Sequence, residues 1–320
     1  MIRFRTFVNA VALAAVLGTA GQAFGAEQIK LAVGGFGYWD TAVSEMAKRS
    51  GILEKHGIEA EILYTQGAGE TMQAVLSGSV DIGVGAGMSG VLSAFAKGAP
   101  VRVVSSESIG SSDYWYVRSD SPLKSIADAT ANTALTYSTN GSSSYSEVLG
   151  FIEKYKLKSK ALATGNVAST FTQVMSGQLD VGFAAPPFGF AELADGKIRI
   201  IGLANDIDSI NSQSMRVNIS NANFVDKRAA VLAAFIDAYR ETLDWMYSSD
   251  AALKVYADIT STTVDFARKA RNEFYPKEML NPDKISGIQS LQTDAVNSKV
   301  LQQPLTDTQF AQLIVIPPRK

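Results

Sequence analysis

Cysteine is absent from this 320-residue chain, and histidine occurs once, as His56. The first absence excludes disulfides, thiolate nucleophiles, C-x-x-C redox pairs and Cys-ligated zinc. The second removes most His-based metal sites and leaves His56 as the sole base for any Ser-His-Asp arrangement. Charge is scarce too, with 19% Asp, Glu, Lys and Arg against about 25% in ordinary soluble domains. The formal net charge of −2 gives no basic surface for nucleic acid and no reason to dock on anionic lipid. Hydrophobic residues make up 46% of the chain, enough to bury a sizeable core, and the length fits two domains at roughly 150 residues each.

Long hydrophobic runs are also missing. Arg3 and Arg5 precede an apolar stretch, Phe7 to Leu17, too short to span a bilayer; small residues Gly18, Ala20, Gly21, Ala23, Gly25 and Ala26 follow. Residues 1–26 therefore read as a signal peptide, and with no cysteine after it no lipid anchor is expected. Without that segment 27 basic and 31 acidic residues remain.

What is present is an internal repeat. Thr71-Met-Gln-Ala-Val-Leu-Ser-Gly-Ser-Val-Asp-Ile-Gly parallels Thr170-Phe-Thr-Gln-Val-Met-Ser-Gly-Gln-Leu-Asp-Val-Gly at a constant offset of 99, with Ser77/Ser176, Gly78/Gly177, Asp81/Asp180 and Gly83/Gly182 identical. Flanking β-branched runs extend the match. Expected strands are Ile29–Val33, Ile58–Tyr64 and Val80–Val84, with helices over Ala42–Lys55 and Glu70–Leu76. The pattern predicts an α/β protein of two βαβαβ lobes, each on a mostly parallel sheet. Lobe one is expected over 27–112, lobe two over 113–213, and a return over 214–320. That return holds a strand at Met215–Ile219 and helices at Ala229–Tyr247, Thr263–Phe274, Pro282–Asn297 and Asp307–Leu313, which pack on lobe one. Crossovers fall at Ser108–Tyr116 and Asn205–Ser214. Two such sheets facing each other enclose a ligand beyond their strand ends and can close by hinge motion.

The candidate site residues follow from that placement. On lobe one they are Tyr38 and Trp39, which offer an aromatic wall, and Gln66, Gly67, Gly87 and Ser89. On lobe two they are Ser138, Thr139, Asn140, Ser142, Ser143, Asn166 and Pro186, and Glu107 lies at a crossover. The turns that carry them hold no Lys or Arg; Asp40 and Glu70 sit in first helical turns as dipole partners. Arg118 or Arg216 near the crossovers would have to supply any cationic clamp. Gly85-Ala-Gly-Met-Ser-Gly90 mimics a dinucleotide fingerprint, with Glu107 as the distal acid. The short helix after it and the different turn in lobe two, Ala185-Pro-Pro-Phe, speak against a dinucleotide. His56, between Lys55 and Gly57, reads as a solvated helix C-cap at the wrong end of its strand for catalysis.

Gly51-Ile-Leu-Glu-Lys-His-Gly-Ile-Glu-Ala-Glu, Val75-Leu-Ser-Gly-Ser-Val-Asp-Ile-Gly, Ala96-Lys-Gly-Ala-Pro-Val-Arg-Val-Val, Ser121-Pro-Leu-Lys-Ser-Ile-Ala-Asp and Met175-Ser-Gly-Gln-Leu-Asp-Val-Gly occur in order. In that spacing the chain resembles the periplasmic substrate-binding proteins of ABC importers, nearest the nitrate/sulfonate/taurine and thiamine-precursor group. It departs at Ala129-Thr-Ala-Asn132, where that group carries Leu-Lys-Gly-Lys. The resemblance implies a type II-like two-lobed fold and a periplasmic protein, expected to be a monomer. It implies no cofactor, no metal and no catalysis. Its partners would be a small organic molecule or oxyanion and the importer's permease and ATPase, with no nucleic acid. The alternatives are an exported enzyme or a signalling receptor on the same fold. The enzyme nearest this fold, the yeast-type pyrimidine synthase, is linked to a Cys-rich motif, a His and a pyridoxal-phosphate Lys, and the composition argues against it.

Overall fold

The computed structural model describes residues 25–319, so the proposed signal peptide lies almost wholly outside the described residues. The first half runs β1 (Glu27–Gly34), α1 (Val43–Arg49), α2 (Ile52–Lys55), β2 (Ile58–Thr65), α3 (Ala68–Leu76), β3 (Ile82–Gly87), α4 (Met88–Ala96) and β4 (Val101–Ile109). There follow β5 (Tyr114–Arg118), β6 (Ala134–Tyr137), α5 (Ser143–Tyr155), β7 (Lys160–Ala163), α6 (Val167–Met175), β8 (Gly182–Ala184), α7 (Phe190–Ala194) and β9 (Ile198–Leu203). The chain ends with β10 (Ser214–Asn221), α8 (Ala222–Lys227), α9 (Ala229–Ser248), α10 (Asp250–Thr260), α11 (Val264–Lys269), α12 (Ile288–Asn297) and α13 (Asp307–Leu313).

The first lobe carries a five-stranded sheet in the order β2-β1-β3-β10-β4. β1 pairs in parallel with β2 and β3, and β10 enters antiparallel between β3 and β4. Residues at both faces of this sheet are apolar because helices cover both sides. One core joins β1 to α1, α9 and α10, and the other joins β3 and β4 to α12 and α13. The C-terminal helices thus pack on the first sheet, as the repeat analysis requires.

Several boundaries differ from expectation, each for a local reason. The single helix over 42–55 is broken at Gly51, which adopts φ 78° and restarts the chain as α2. The segment before α9 and the helix α10 belong to the C-terminal cluster, but α10 has no counterpart in the expected elements, because Ser249 caps it immediately after α9 ends. The helix expected over 263–274 is α11 followed by a wider π turn at Ala270–Phe274, and Pro282–Lys284 lies outside α12. The second lobe departs most. Its strands form two sheets, a parallel β6-β7 pair and an antiparallel β8-β5-β9 sheet, instead of one mostly parallel sheet. The β5 crossover strand lies between β8 and β9 and runs antiparallel to both.

The 99-residue repeat is nonetheless literal at the level of hydrogen bonds. Thr65 and Thr71 hydroxyls meet at 2.7 Å, and their equivalents Thr164 and Thr170 meet at 2.6 Å. Each pair ties the end of a strand to the helix that follows.

Trp39 is the clearest correction to the candidate set. Its ring is fully buried, edge-on to Tyr256 at 4.7 Å and to Tyr247 at 6.0 Å, and its Nε1–H donates to the Tyr247 hydroxyl at 3.1 Å. It belongs to the core between α1 and the C-terminal helices, since Trp39 and Tyr38 are adjacent and face opposite ways. Trp39→Ala is expected to cost about 3–5 kcal/mol in equilibrium urea denaturation, as for other buried aromatic truncations. A loss below about 1 kcal/mol, the ordinary cost of a random substitution, would show that the ring is not a core element.

Candidate functional site

Residues just past the carboxyl ends of the strands converge between the lobes. β1 ends at Gly34, β2 at Thr65 and β3 at Gly87, while β6, β7 and β8 of the second lobe end at Tyr137, Ala163 and Ala184. Between them lies a cavity of about 330 Å³. Of the candidate residues, Tyr38, Gln66, Gly67, Ser138, Ser142, Ser143 and Asn166 line it. Phe36, Tyr64, Phe183 and Phe188 complete an aromatic wall, and Asp113 and Arg216 form its floor.

Three helices begin at this cavity: α3 after Gly67, α5 after Ser142 and α6 after Asn166. Their first-turn N–H groups have no acceptor within the helix, and their aligned dipoles make this end of the cleft partly positive. Ser142 and Asn166 are half committed, since their side chains accept from the Tyr145 and Ser169 amides as N-caps.

Contacts between lobes close the cavity. Asn166 Nδ2 donates to Gln66 Oε1 at 2.5 Å, and the Gly69 amide donates to Thr139 Oγ1 at 3.1 Å. Ser89 and Ser146 hydroxyls meet at 2.7 Å. The glycine string has its explanation here. A Cβ at Gly87 would lie 2.2 Å from the Gly141 carbonyl oxygen, and one at Gly90 would lie 2.6 Å from the same atom. Gly87 therefore serves backbone approach between the lobes and not a ligand phosphate.

The other candidates are placed elsewhere. Ser89 faces a second cavity of about 280 Å³ beside α5 and α12. Thr139 spans the lobes, and the Asn140 side chain accepts from the Tyr137 hydroxyl at 2.7 Å. Pro186 is buried and does not line the cavity, whereas Phe188 two residues on does. Glu107 is neither solvated nor at the cavity wall: it is 1% exposed and accepts from the Gly85 amide at 2.6 Å. His56 caps the C-terminus of α2 as expected, but its ring is half-buried and held by Glu241 at 2.8 Å and is not freely solvated.

Arg216 is the cation of the floor. Its Nη1 donates to Asp40 at 2.6 Å, its Nη2 to Asp113 at 2.5 Å and its Nε to Ser143 Oγ at 3.1 Å. The guanidinium also stands 5.6 Å from the centre of the Tyr38 ring. Asp40 is therefore an ion-pair partner and not merely a helix-dipole residue. Burial opposes the Arg216 charge, but Asp113 and Asp40 outweigh it and hold its pKa well above the ordinary value. Asp113 itself is pushed up by burial, against the pull of Arg216. Of the two arginines expected near the crossovers, Arg216 reaches the cavity, while Arg118 pairs with Asp120 away from it; Asp113 is the residue that turn-based reasoning overlooks. Asp113 and Arg216 each stand at the start of a strand, β5 or β10, that runs antiparallel into its sheet. Such starts lie beside the carboxyl ends of the parallel strands; Arg216 pairs with Gly87, and Tyr114 with Ala184. The signal available in the sequence was charge next to each crossover.

A family model described as NMT1/THI5 like matches residues 41–252. The chain belongs to that family. No curated protein matches it in sequence. Among solved structures it is similar to the alkanesulfonate-binding protein SsuA from Xanthomonas axonopodis pv. citri bound to MOPS, at 17% identity and TM-score 0.75, covering 92% of this chain and 100% of that one. It is similar also to the periplasmic nitrate-binding protein NrtA from Synechocystis PCC 6803, at 13% identity and TM-score 0.69, covering 90% and 85%. The desulfurization enzyme DSZB shares the fold at 16% identity and TM-score 0.60, covering 89% and 96%. These likenesses establish the periplasmic-binding-protein fold for this NMT1/THI5-like chain. Among its described residues no helix is long and apolar enough to cross a membrane.

The Asp40–Arg216–Asp113 chain joins the lobes, and removing its cation leaves two buried carboxylates unpaired. Arg216→Met is expected to cost about 3–5 kcal/mol in urea denaturation, with Asp113→Asn in that background recovering part of the loss. Stability within about 0.5 kcal/mol of the parent would show that the ion chain is structurally idle.

Proposed function

We propose that this protein captures a small solute between its two lobes and hands it to an ABC importer. The observation that carries the reading is a cavity at the carboxyl ends of the strands of both lobes, walled by both and spanned at its mouth by Gln66 and Asn166. A ligand that touches both walls binds the closed form better than the open one, so binding drives closure. The proposed domain boundaries, with lobe two over 113–213, put the hinge at the two crossovers. Export by a leader over residues 1–26, a periplasmic location, a monomeric state and delivery to a permease and its ATPase complete the proposal. The named functions of the SsuA and NrtA neighbours support it.

The ligand is a flat, weakly charged organic molecule. Its body lies against Phe36, Tyr38, Tyr64, Phe183 and Phe188, and its polar edge meets the serines and helix starts of the second lobe. Arg216 already has two carboxylate partners, which makes it a poor clamp for a free anion. The reading is binding without turnover. The one histidine stands at the N-terminal end of β2, whereas the cavity lies at the opposite end of that eight-residue strand.

A thermal-shift panel followed by calorimetric titration tests the proposal. The panel contains nitrate, taurine, short alkanesulfonates, arylsulfonates, aromatic acids and aminopyrimidines. Planar ring compounds are expected to bind, while nitrate and taurine do not. Phe36 is half exposed, so Phe36→Ala should leave stability within about 0.5 kcal/mol. It should weaken the planar ligand by about tenfold or more if ligand covers the ring. Preference for nitrate or taurine, or unchanged affinity in Phe36→Ala, would overturn this assignment of the ligand class.

A further inference from the structure

Around the one guanidinium of Arg216 the fold buries four carboxyl groups: Asp40, Asp113, Glu107 and Glu147. Arg216 pairs with only the first two. Glu147 is fully buried, and the polar side chains close enough to share a hydrogen bond with it are the Ser111 hydroxyl and the Asp113 carboxyl, so no cation of its own reaches it. It lies on α5, one helical turn beyond Ser143, so the two share a face. Ser143 on that face receives the Arg216 Nε–H from the first lobe. The groups that face Glu147 are Asp113 and Ser111 of the first crossover and Arg216 of β10. Asp113 and Arg216 also face Tyr38, Tyr275 and Asp40. Two carboxylates already balance the one cation more than fully, and a third negative charge in this enclosed place has no compensation.

Resting on the lobe closure proposed above, we infer that Glu147 is a proton-carrying closure latch: it holds a proton, donated toward Asp113, while α5 is seated against Arg216, and it releases that proton to water when the lobes part. Burial, and after it the charge of Asp113, push its carboxyl well above the ordinary range, with Arg216 and the Ser111 hydroxyl opposing only in part. An acid whose pKa is raised in the closed form binds its proton more tightly there than in the open form. Closure is therefore favoured in full below the ordinary carboxyl range, and the advantage disappears as pH climbs toward the closed-form value. One proton per closing event changes the closed-to-open ratio by at most about tenfold per pH unit. Glu107 is buried in the same way, pushed up by burial and Asp40 and pulled down by Arg216 and the Gly85 amide; Tyr239 faces it from α9. It sits within the first sheet, bonded to β3, and keeps those surroundings when the lobes separate. It is the control for Glu147.

The chain has no cysteine, so spin labels can be introduced cleanly at Glu61→Cys on β2 and Lys160→Cys on β7, both exposed. Pulsed electron resonance on the ligand-free protein then reads the distance between lobes from about pH 5.5 to 9. The short-distance population is expected to fall as pH rises, in Glu107→Gln as in the parent, while Glu147→Gln stays closed throughout. Infrared spectra of protein labelled with ¹³C-glutamate should show a protonated carboxyl band that disappears with the same midpoint as the closed population. If Glu147→Gln does not unfold cooperatively in urea, the coincidence of those two midpoints in the parent decides alone. A single distance population at every pH would overturn lobe closure and the latch with it; two populations whose ratio does not move with pH, midpoints that differ, or a Glu147→Gln response matching the parent would each overturn the latch alone.

Discussion

Arg216 carries a full charge at the almost wholly buried floor of the cleft, and much of the architecture can be understood as the means of keeping it there. Its three donors end on Asp40 before α1, Asp113 before β5 and Ser143 at the start of α5. Those partners come from the first lobe, the crossover and the second lobe in turn. An unpaired ion at this depth would be costly, so the relative placement of all three elements is coupled to the satisfaction of one side chain. The ion chain is thus both a strut between lobes and the floor of the cavity.

Backbone proximity does the rest of the joining. Gly87 and Gly90 lie at the start of α4, and their missing side chains leave room for the carbonyl of Gly141 in the opposite lobe. Ser89 reaches across the same seam to Ser146. A string that looks like a nucleotide fingerprint is in this fold a docking surface between two halves of one chain. The same residue type answers two different physical demands, close approach to a ligand and close approach to protein, and the sequence alone does not separate them.

The cavity walls divide by origin. Polar contacts come from helix starts, where small residues such as Ser142, Ser143 and Asn166 both cap and face the ligand space. Apolar contacts come from aromatic side chains at strand ends, Tyr64 and Phe183, and in the turns beyond them, Phe36, Tyr38 and Phe188; Phe36 packs edge-on to Tyr64 at 4.7 Å. This division suits a molecule with a flat body and one polar edge.

The sequence by itself determined the repeated unit, the α/β class, the strands β1 to β3, the return strand β10 and the turns that meet at the cleft. Those features rest on local periodicity and on a 99-residue register, and both are written in consecutive residues; Thr65–Thr71 and Thr164–Thr170 show the register preserved down to single hydroxyls. Only the tertiary structure decided which of two neighbouring aromatics faces the cleft. Tyr38 lines the cavity and Trp39 enters the core, because the partners that claim the indole, Tyr247 and Tyr256, lie more than 200 residues away. It also decided the fate of the charges. Nothing local distinguishes Glu107 and Glu147 from solvated residues, and the place of Asp113 and Arg216 beside the crossovers does not reveal that they are buried. Their burial follows from antiparallel crossover strands and a helix that bring distant segments to one point, and a pairing over such separations leaves no periodic trace in the chain.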